Sequence, residues 1–448
     1  MAELTPYLIV GWVLACVALF PYAAPRRAVL AVVLAGQLFL PEVAGGEVAV
    51  GPLHFTKALA ISYAALFGAV LYDADRLAAL TPRWFDLPML VWCLAPLPSV
   101  LTNDPPPDGS APLRDALSQT LAQVVLWGVP YLLGRAYFPD PAAFRELAAA
   151  LVLAGVVYAP LCLYEARMSP HLHANVYGFM QHSFGQTIRF GGWRPMVFFQ
   201  HGLALALFMA AAALVAGWVW FAGPAEGRGR FGAAALLLVP TAVLTRSTGA
   251  IALGFLGGLV LWLSRAGGRV WLLALVAVPP AYAAARATGA WSGGELVEFA
   301  GEQIEADRAQ SLEFRLTNEN LLIRKALDRP AFGWGGWGRC RVYDDRGNDI
   351  SVTDGLWVIA MGDRGLVGLV ALGAAFLLPV ARYALARPRA GGRTPLAAAD
   401  ACVLVLALWA IDSLFNAMLT PVYPLIAGGA AGLADAVRPA APAAEDAP

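Results

Sequence analysis

The sequence predicts an all-α fold, a polytopic transmembrane bundle of about 12–13 spans with one larger extramembrane loop. Three observations lead there. Of the 448 residues, 59% are hydrophobic and only 14% charged, with a mean hydropathy of +0.62, too apolar for a water-exposed globule. Apolar runs of roughly 17–25 residues recur from end to end, and in lipid such runs satisfy their backbone groups as helices. Arginines also collect in alternate loops, the pattern that sidedness imposes on a bundle. The formal net charge is zero, which gives no ground for a nucleic-acid partner.

Taken in order, the expected spans are 6–22, 28–43, 56–72, 87–102, 115–134, 146–164, 197–221, 231–245, 249–264, 269–286, 355–381, 398–419 and 423–437. The first begins "MAELTPYLIVGWVLACVALF". It lacks the basic n-region of a signal peptide and reads as an uncleaved helix. The second and last are short enough to be re-entrant. Residues 1–164 thus carry the N-terminal helices, and 165–286 the central helices with an arginine-bearing loop. Residues 287–353 form the extramembrane loop, 354–437 the C-terminal helices and 438–448 a disordered cytoplasmic tail. Four of the five cysteines (Cys16, Cys93, Cys162, Cys402) fall in apolar spans and Cys340 in a polar loop. That spacing supports neither a disulfide framework nor a zinc site.

Sidedness follows from the arginines. With the N-terminus outside, the inner loops hold Arg26 and Arg27, Arg76 and Arg83, Arg135 and Arg145, Arg228 and Arg230, Arg265 and Arg269, then Arg382, Arg387, Arg389 and Arg393. The short outer loops are nearly bare. Two outer segments break the rule: 165–196, with Arg167, Arg189 and Arg194, and 287–353, with charges of both signs. Long loops translocate regardless of charge, so these arginines call for a separate reason. An anionic partner at the outer surface supplies one.

Within the long loop, "SLEFRLTNENLLIRKALDRPAFGWGGWGR" places Leu312, Leu316, Ile323 and Leu327 on one helical face, with Arg315 among the polar residues and Pro330 as terminator. This predicts an amphipathic helix suited to lie on the membrane surface. "GWGGWG" then supplies a tight turn bearing Trp334 and Trp337. Such rings suit a headgroup-level position or the face of a sugar.

The strongest chemical constellation is "IRFGGWRPMVFFQHGLALALF", residues 188–208. It sets Arg189 and Arg194 just before a span, with Pro195 in its first turn and His201 about one turn inside. Guanidinium groups bind phosphate bidentately and stay charged. Interfacial arginines also snorkel to lipid headgroups, but Arg246, on the same side, favours a shared anion site. His201 reads equally as a site residue or a packed, hydrogen-bonded histidine. Asp354, at the outer end of the span 355–381, suits a helix N-cap and equally a general base. Deeper in that span, Asp363 and Arg364 read as a structural ion pair, and Asp412 as a structural polar contact. His171 and His173 lack a third ligand for a metal, so no metal or cofactor is expected.

From about residue 188 to 370 these blocks resemble the bacterial O-antigen ligase and O-antigen polymerase superfamily. The likeness rests on the arginine-led entry "RFGGWRPMVFFQHGLALALF", on "LTRSTGAIAL" (244–253), and on "ALDRPAFGWGGWG" (326–338) followed by "GDRGLVGL" (362–369). The resemblance implies a multi-pass enzyme of the bacterial inner membrane. It would move a glycan from an undecaprenyl-diphosphate carrier, at the outer face, to lipid A core or to a second carrier-linked glycan, inverting at the anomeric carbon without metal. It implies diphosphate binding by Arg189, Arg194 and Arg246 and a base at Asp354, with His201, Arg315, Trp334 and Trp337 in support.

Two positions depart from the family pattern. Asp354 stands where ligases carry histidine. An unperturbed carboxylate has a pKa of about 4, so it needs a raised pKa or arginine-assisted departure of the leaving group. The family arginine corresponds to Thr248. Arg246 lies about 200° away on a continuous helix and can replace it only where the span end is irregular. A transporter or lipid-linked-glycan flippase is the alternative, and it calls for charge along a central path and broken helices at mid-membrane.

Overall fold

The computed structural model describes residues 2–43, 48–50, 53–105, 109–303, 306–388 and 392–438. The chain is an all-α, polytopic membrane protein. The helices that build it are α1 (Thr5–Leu19), α2 (Pro25–Phe39), α3 (Lys57–Tyr72), α4 (Trp84–Leu101), α5 (Pro112–Tyr137), α6 (Pro141–Met168), α7 (Gly202–Ala222), α8 (Arg228–Leu244), α9 (Thr248–Gly267) and α10 (Val270–Ala287). After them come α11 (Gly294–Gln303), α12 (Ala306–Leu327), α13 (Leu356–Ala386), α14 (Ala397–Asp412) and α15 (Val422–Ala436). Eight described helices are long and apolar enough to cross a bilayer. Every expected span falls on a helix, but α2, α3, α8, α14 and α15 are shorter. The tail from 439 onward lies outside the described residues.

The core forms around α14, buried from Ala397 to Ala410, as a helix apolar on all sides must be. The last span is a buried helix, not a shallow re-entrant segment. Its small residues explain how: a Cβ on Gly428 would lie 1.9 Å from the Tyr131 carbonyl oxygen, and one on Gly134 would lie 2.0 Å from that of Leu425. Backbones of α5 and α15 thus meet directly, the packing that small residues allow in membranes.

The span entered by Arg194 begins later than the sequence suggests. Residues 196–201 are irregular and α7 starts at Gly202, so Pro195 is not in a helix first turn and His201 is the N-cap, not one turn inside. The cause is tertiary. Glu165 Oε2 accepts the amides of Met196 (2.8 Å) and Val197 (2.7 Å), and the Tyr158 hydroxyl accepts that of Phe198 (2.9 Å). Lys57 Nζ donates to the Phe198 carbonyl (2.6 Å) and Gln181 Nε2 to those of Val197 and Phe199 (3.0 and 3.1 Å). Irregular backbone beside a membrane bundle persists where protein groups satisfy it in this way.

α13 is broken. Gly365 has φ 66° and ψ −167°, a conformation open essentially to glycine. The loop after α12 fills the gap: Trp334 and Gly335 donate to the carbonyls of Gly362 (2.8 Å) and Asp363 (2.9 Å), while Leu366 donates to that of Pro330 (2.7 Å). A Cβ at Gly365 would sit 2.3 Å from the Ala331 carbonyl oxygen, and one at Gly333 2.6 Å from that of Gly362. The two glycine-rich blocks at 330–335 and 362–366 are therefore halves of one interlock. Asp363 and Arg364 act on each other through charge without the direct contact of an ion pair: Arg364 donates to Gln119 Oε1 (3.0 Å) and Gln123 Oε1 (3.4 Å), and the Asp363 carboxylate faces the Cys340 thiol.

Helix α12 ends as expected before Pro330, and one face of it packs on protein. Leu316 is buried, Leu322, Ile323 and Ala326 are buried against Trp357, Val358 and Met361 of α13, and Leu327 is exposed. Its anchor is a buried ion pair, Arg286 Nε to Glu319 Oε2 at 2.8 Å, whose carboxylate also accepts from Tyr282 (2.9 Å) and Trp357 (2.9 Å). Every oxygen and most donors there are satisfied, as a buried pair requires.

Candidate functional site

At one end of the bundle a small hairpin carries the first arginine. Strands β1 (Ile188–Arg189) and β2 (Gly192–Trp193) pair antiparallel across Phe190 (φ 49°) and Gly191 (φ 65°), the positive pair that a two-residue hairpin turn demands. Arg246 reaches beneath this turn. Its Nη1 donates to the carbonyls of Arg189 (3.0 Å) and Phe190 (2.7 Å). The guanidinium lies flat against Gly192, where a Cβ would sit 2.3 Å from its central carbon.

Arg246 does this because it is not on a helix. It has φ 53° in the break between α8 and α9, so the irregular span end that its role requires is present. Among the described residues it has carbonyl partners and no carboxylate. Three arginines of other loops differ: Arg26 meets Glu146 (3.0 Å), Arg76 meets Asp73 (3.2 Å) and Arg135 meets Asp86 (3.0 Å).

Arg194 is buried, and its stem packs over Gly202, whose added Cβ would lie 2.5 Å from Cδ. Its Nη2 donates to the Arg246 carbonyl at 3.3 Å. The two glycines of "GGWRPMVFFQHG" that matter, Gly192 and Gly202, are thus seats for the two guanidinium side chains. Three of the non-glycine residues at positive φ, Phe190, Val197 and Arg246, surround this patch, and such strain gathers where a site over-determines its backbone.

His201 caps α7. The Leu203 amide donates to Nδ1 (2.9 Å), so the proton is on Nε2, which donates to Gln186 Oε1 (3.2 Å). Both nitrogens are occupied, and the ring is no free base in this arrangement. Its pKa is pushed down to about 3, first by burial, then by His182, Arg194, Arg315 and Arg189. The ring therefore stays neutral within a field that is net positive.

Arg315 connects this patch to Asp354. Its Nε lies 3.6 Å from Asp354 Oδ2, and Nη1 donates to the Phe415 carbonyl (3.0 Å). Both side chains are partly exposed, at 29% and 36%, so the pair contributes little to stability and can rearrange. Asp354 is not the helix cap. Gly355 is, held because a Cβ would strike the Leu414 carbonyl oxygen at 2.4 Å, and the first turn is tied by Leu356 N–H to the Ser413 carbonyl (2.9 Å). Asp412 accepts from Asn416 Nδ2 (2.9 Å), the structural contact expected of it.

Arg189, Arg194, Arg246, His201, Arg315 and Asp354 thus share one end of the bundle. The tryptophans lie elsewhere, Trp334 in the α13 interlock and Trp337 against α5. Lys325 Nζ and the Arg329 guanidinium lie 3.7 and 4.7 Å from the Trp334 ring. Trp337 is half exposed and donates to Asp115 Oδ2 (3.2 Å). His173 uses both ring nitrogens, Nε2 accepting the Glu42 amide (3.2 Å) and Nδ1 donating to the Phe179 carbonyl (2.8 Å), while His171 bonds Ser169 Oγ (2.7 Å).

Glu165 was missed from sequence. The signal was present: a carboxylate in the last turn of an apolar helix opposes the helix dipole and so implies a task elsewhere. Gln186 carries no such signal. No protein-family model matches this chain, and no curated protein matches it significantly. Fold and site together define an all-α polytopic membrane protein with a strained, cation-rich patch at one end.

Proposed function

We propose that the chain is a glycosyltransferase of the O-antigen ligase or polymerase type. It sits in the bacterial inner membrane with the arginine-bearing end outward, and moves a glycan from undecaprenyl diphosphate to an acceptor hydroxyl on lipid A core or a second carrier-linked glycan. The observation that carries this reading is the convergence of Arg189, Arg194, Arg246 and Arg315 around a neutral His201. Like charges held together in a strained, partly buried patch are stabilised by a multiply charged anion, and a lipid diphosphate brings one to that depth.

In the reaction the acceptor oxygen attacks the anomeric carbon as its proton passes to Asp354. The bond from that carbon to the diphosphate oxygen breaks, with inversion. The charge growing on undecaprenyl diphosphate faces fixed guanidiniums, and such preorganised stabilisation is commonly the largest single catalytic effect. The anion competes for Arg315, which frees Asp354 to act as base.

The break in α13 raises the flippase reading, since transporters bind at broken helices. Here the carbonyls freed at Gly362 and Asp363 are already taken by Trp334 and Gly335, so the backbone opened by the break is satisfied within the protein, which favours transfer. The deciding experiment gives purified protein a defined undecaprenyl-diphosphate glycan, with lipid A core and a second carrier-linked glycan as competing acceptors. Glycan transfer with release of undecaprenyl diphosphate supports the proposal. Carrier movement across vesicles without transfer supports the flippase.

A further inference from the structure

A cavity of about 310 Å³ opens at the opposite end of the bundle, between the end of α9, the start of α10, the end of α13 and the start of α14. Its walls are apolar, among them Val260, Leu272 and Leu404. Its floor is a closed ion pair: Arg387 grips Asp400 through two nitrogens, Nη2 at 2.7 Å, and the Tyr383 hydroxyl donates to the same carboxylate (2.8 Å). That pair is neutral and needs no further partner.

The mouth is different. Arg269 is exposed and has no carboxylate within ion-pair distance among the described residues. It is also the N-cap of α10, whose first turn no side chain caps, so the free amides and helix dipole add to its charge. Ser264 lines the wall with a buried Oγ that has no hydrogen-bond partner. One uncompensated cation, an uncapped helix start and an orphan hydroxyl converge on an otherwise oily cleft at the membrane edge.

We propose that this cleft holds an anionic membrane phospholipid. Its phosphate sits against Arg269 and the first turn of α10, Ser264 donates to a headgroup or ester oxygen, and one acyl chain follows the apolar wall. Basic pockets between membrane helices take anionic headgroups in this way. The inference is independent of the glycan-transfer reading, because it concerns the other end of the molecule.

The test uses full-length protein in nanodiscs containing photoactivatable phosphatidylglycerol or phosphatidylcholine, with crosslinks mapped by mass spectrometry. The expected result is phosphatidylglycerol adducts on segments 260–272 and 384–404. They should fall about fivefold in Arg269→Ala, the effect of one basic residue at a membrane surface, and be retained in Arg269→Lys. Ser264→Phe, which fills the cleft, should abolish them. Arg269 is exposed, so its substitution leaves folding intact. Equal labelling by phosphatidylcholine, indifference to Arg269→Ala, or displacement by millimolar inorganic phosphate alone would each overturn the proposal, the last by assigning the site to a soluble anion.

Discussion

The guanidinium of Arg315 lies 3.6 Å from the carboxylate of Asp354, across from the first turn of α13. The contact joins helix α12 to the carboxylate proposed as base, and it is solvated enough to open. Asp354→Asn is expected to lower glycan transfer by about 10²–10⁴, the range for a lost general base, while the melting temperature shifts by no more than the roughly 1 kcal/mol of an exposed pair. Arg315→Gln should also slow transfer with the same small thermal effect. Initial rates and melting curves of the purified variants separate this account from a structural one, in which both would fall together.

His201 gives a pH dependence with a definite sign. Its pKa in the folded chain is about 3, below the usual value near 6.5 for an exposed imidazole. Between those values the unfolded chain binds the extra proton, so the stabilisation is complete above pH 6.5 and is lost as pH falls toward 3. His201→Asn keeps a capping oxygen and removes the titration. Its melting temperature should match wild type near pH 7.5 and decline less steeply on acidification. An unchanged acid slope would argue against the buried, neutral ring.

Glu165 supports the site from below. Besides Met196 and Val197 it accepts the amide of Leu172 at 2.9 Å. Glu165→Ala leaves these buried donors unmet, at roughly 1–3 kcal/mol each. The expected outcome is a large drop in thermal stability and faster proteolysis between 165 and 201, with Glu165→Gln intermediate because its amide oxygen still accepts. Pulse proteolysis with peptide mapping reads both.

The α13 interlock predicts a matched glycine series. Gly365→Ala and Gly333→Ala each place a Cβ within 2.6 Å of backbone and at positive φ, for a cost of at least about 1–3 kcal/mol. Their double variant should cost less than the sum, since either one opens the same joint. Gly373→Ala, in the same helix with nothing within 4 Å of the added carbon, should be neutral or slightly stabilising. Melting temperatures of the four proteins test this.

What the sequence carried was mostly one-dimensional. Apolar length placed each span on a helix, and arginine type and order picked out Arg189, Arg194 and Arg246. What it did not carry depended on distant partners. The late start of α7 follows from Glu165 and Tyr158 claiming amides that a helix would have used. The break at Gly365 is invisible in an apolar run until the loop at 330–335 is seen to fill it. Asp354 looked like a cap because nothing local showed Gly355 pressed against Leu414. Arg315 was legible as a supporting residue on an amphipathic helix, but its pairing with Asp354 was not, because that partner lies across the loop.

The central claim is that the converging arginines grip a lipid diphosphate, and the most direct test is affinity. Purified protein in nanodiscs is titrated with undecaprenyl diphosphate and, separately, with the uncharged polyprenol, for wild type, Arg194→Ala and Arg246→Ala. The account predicts at least about tenfold tighter binding of the diphosphate by wild type, with most of that preference gone in each variant, as the loss of one charge-assisted contact of 1.5–3 kcal/mol would give. Equal affinity for the two lipids, or a diphosphate preference untouched by either substitution, would contradict it.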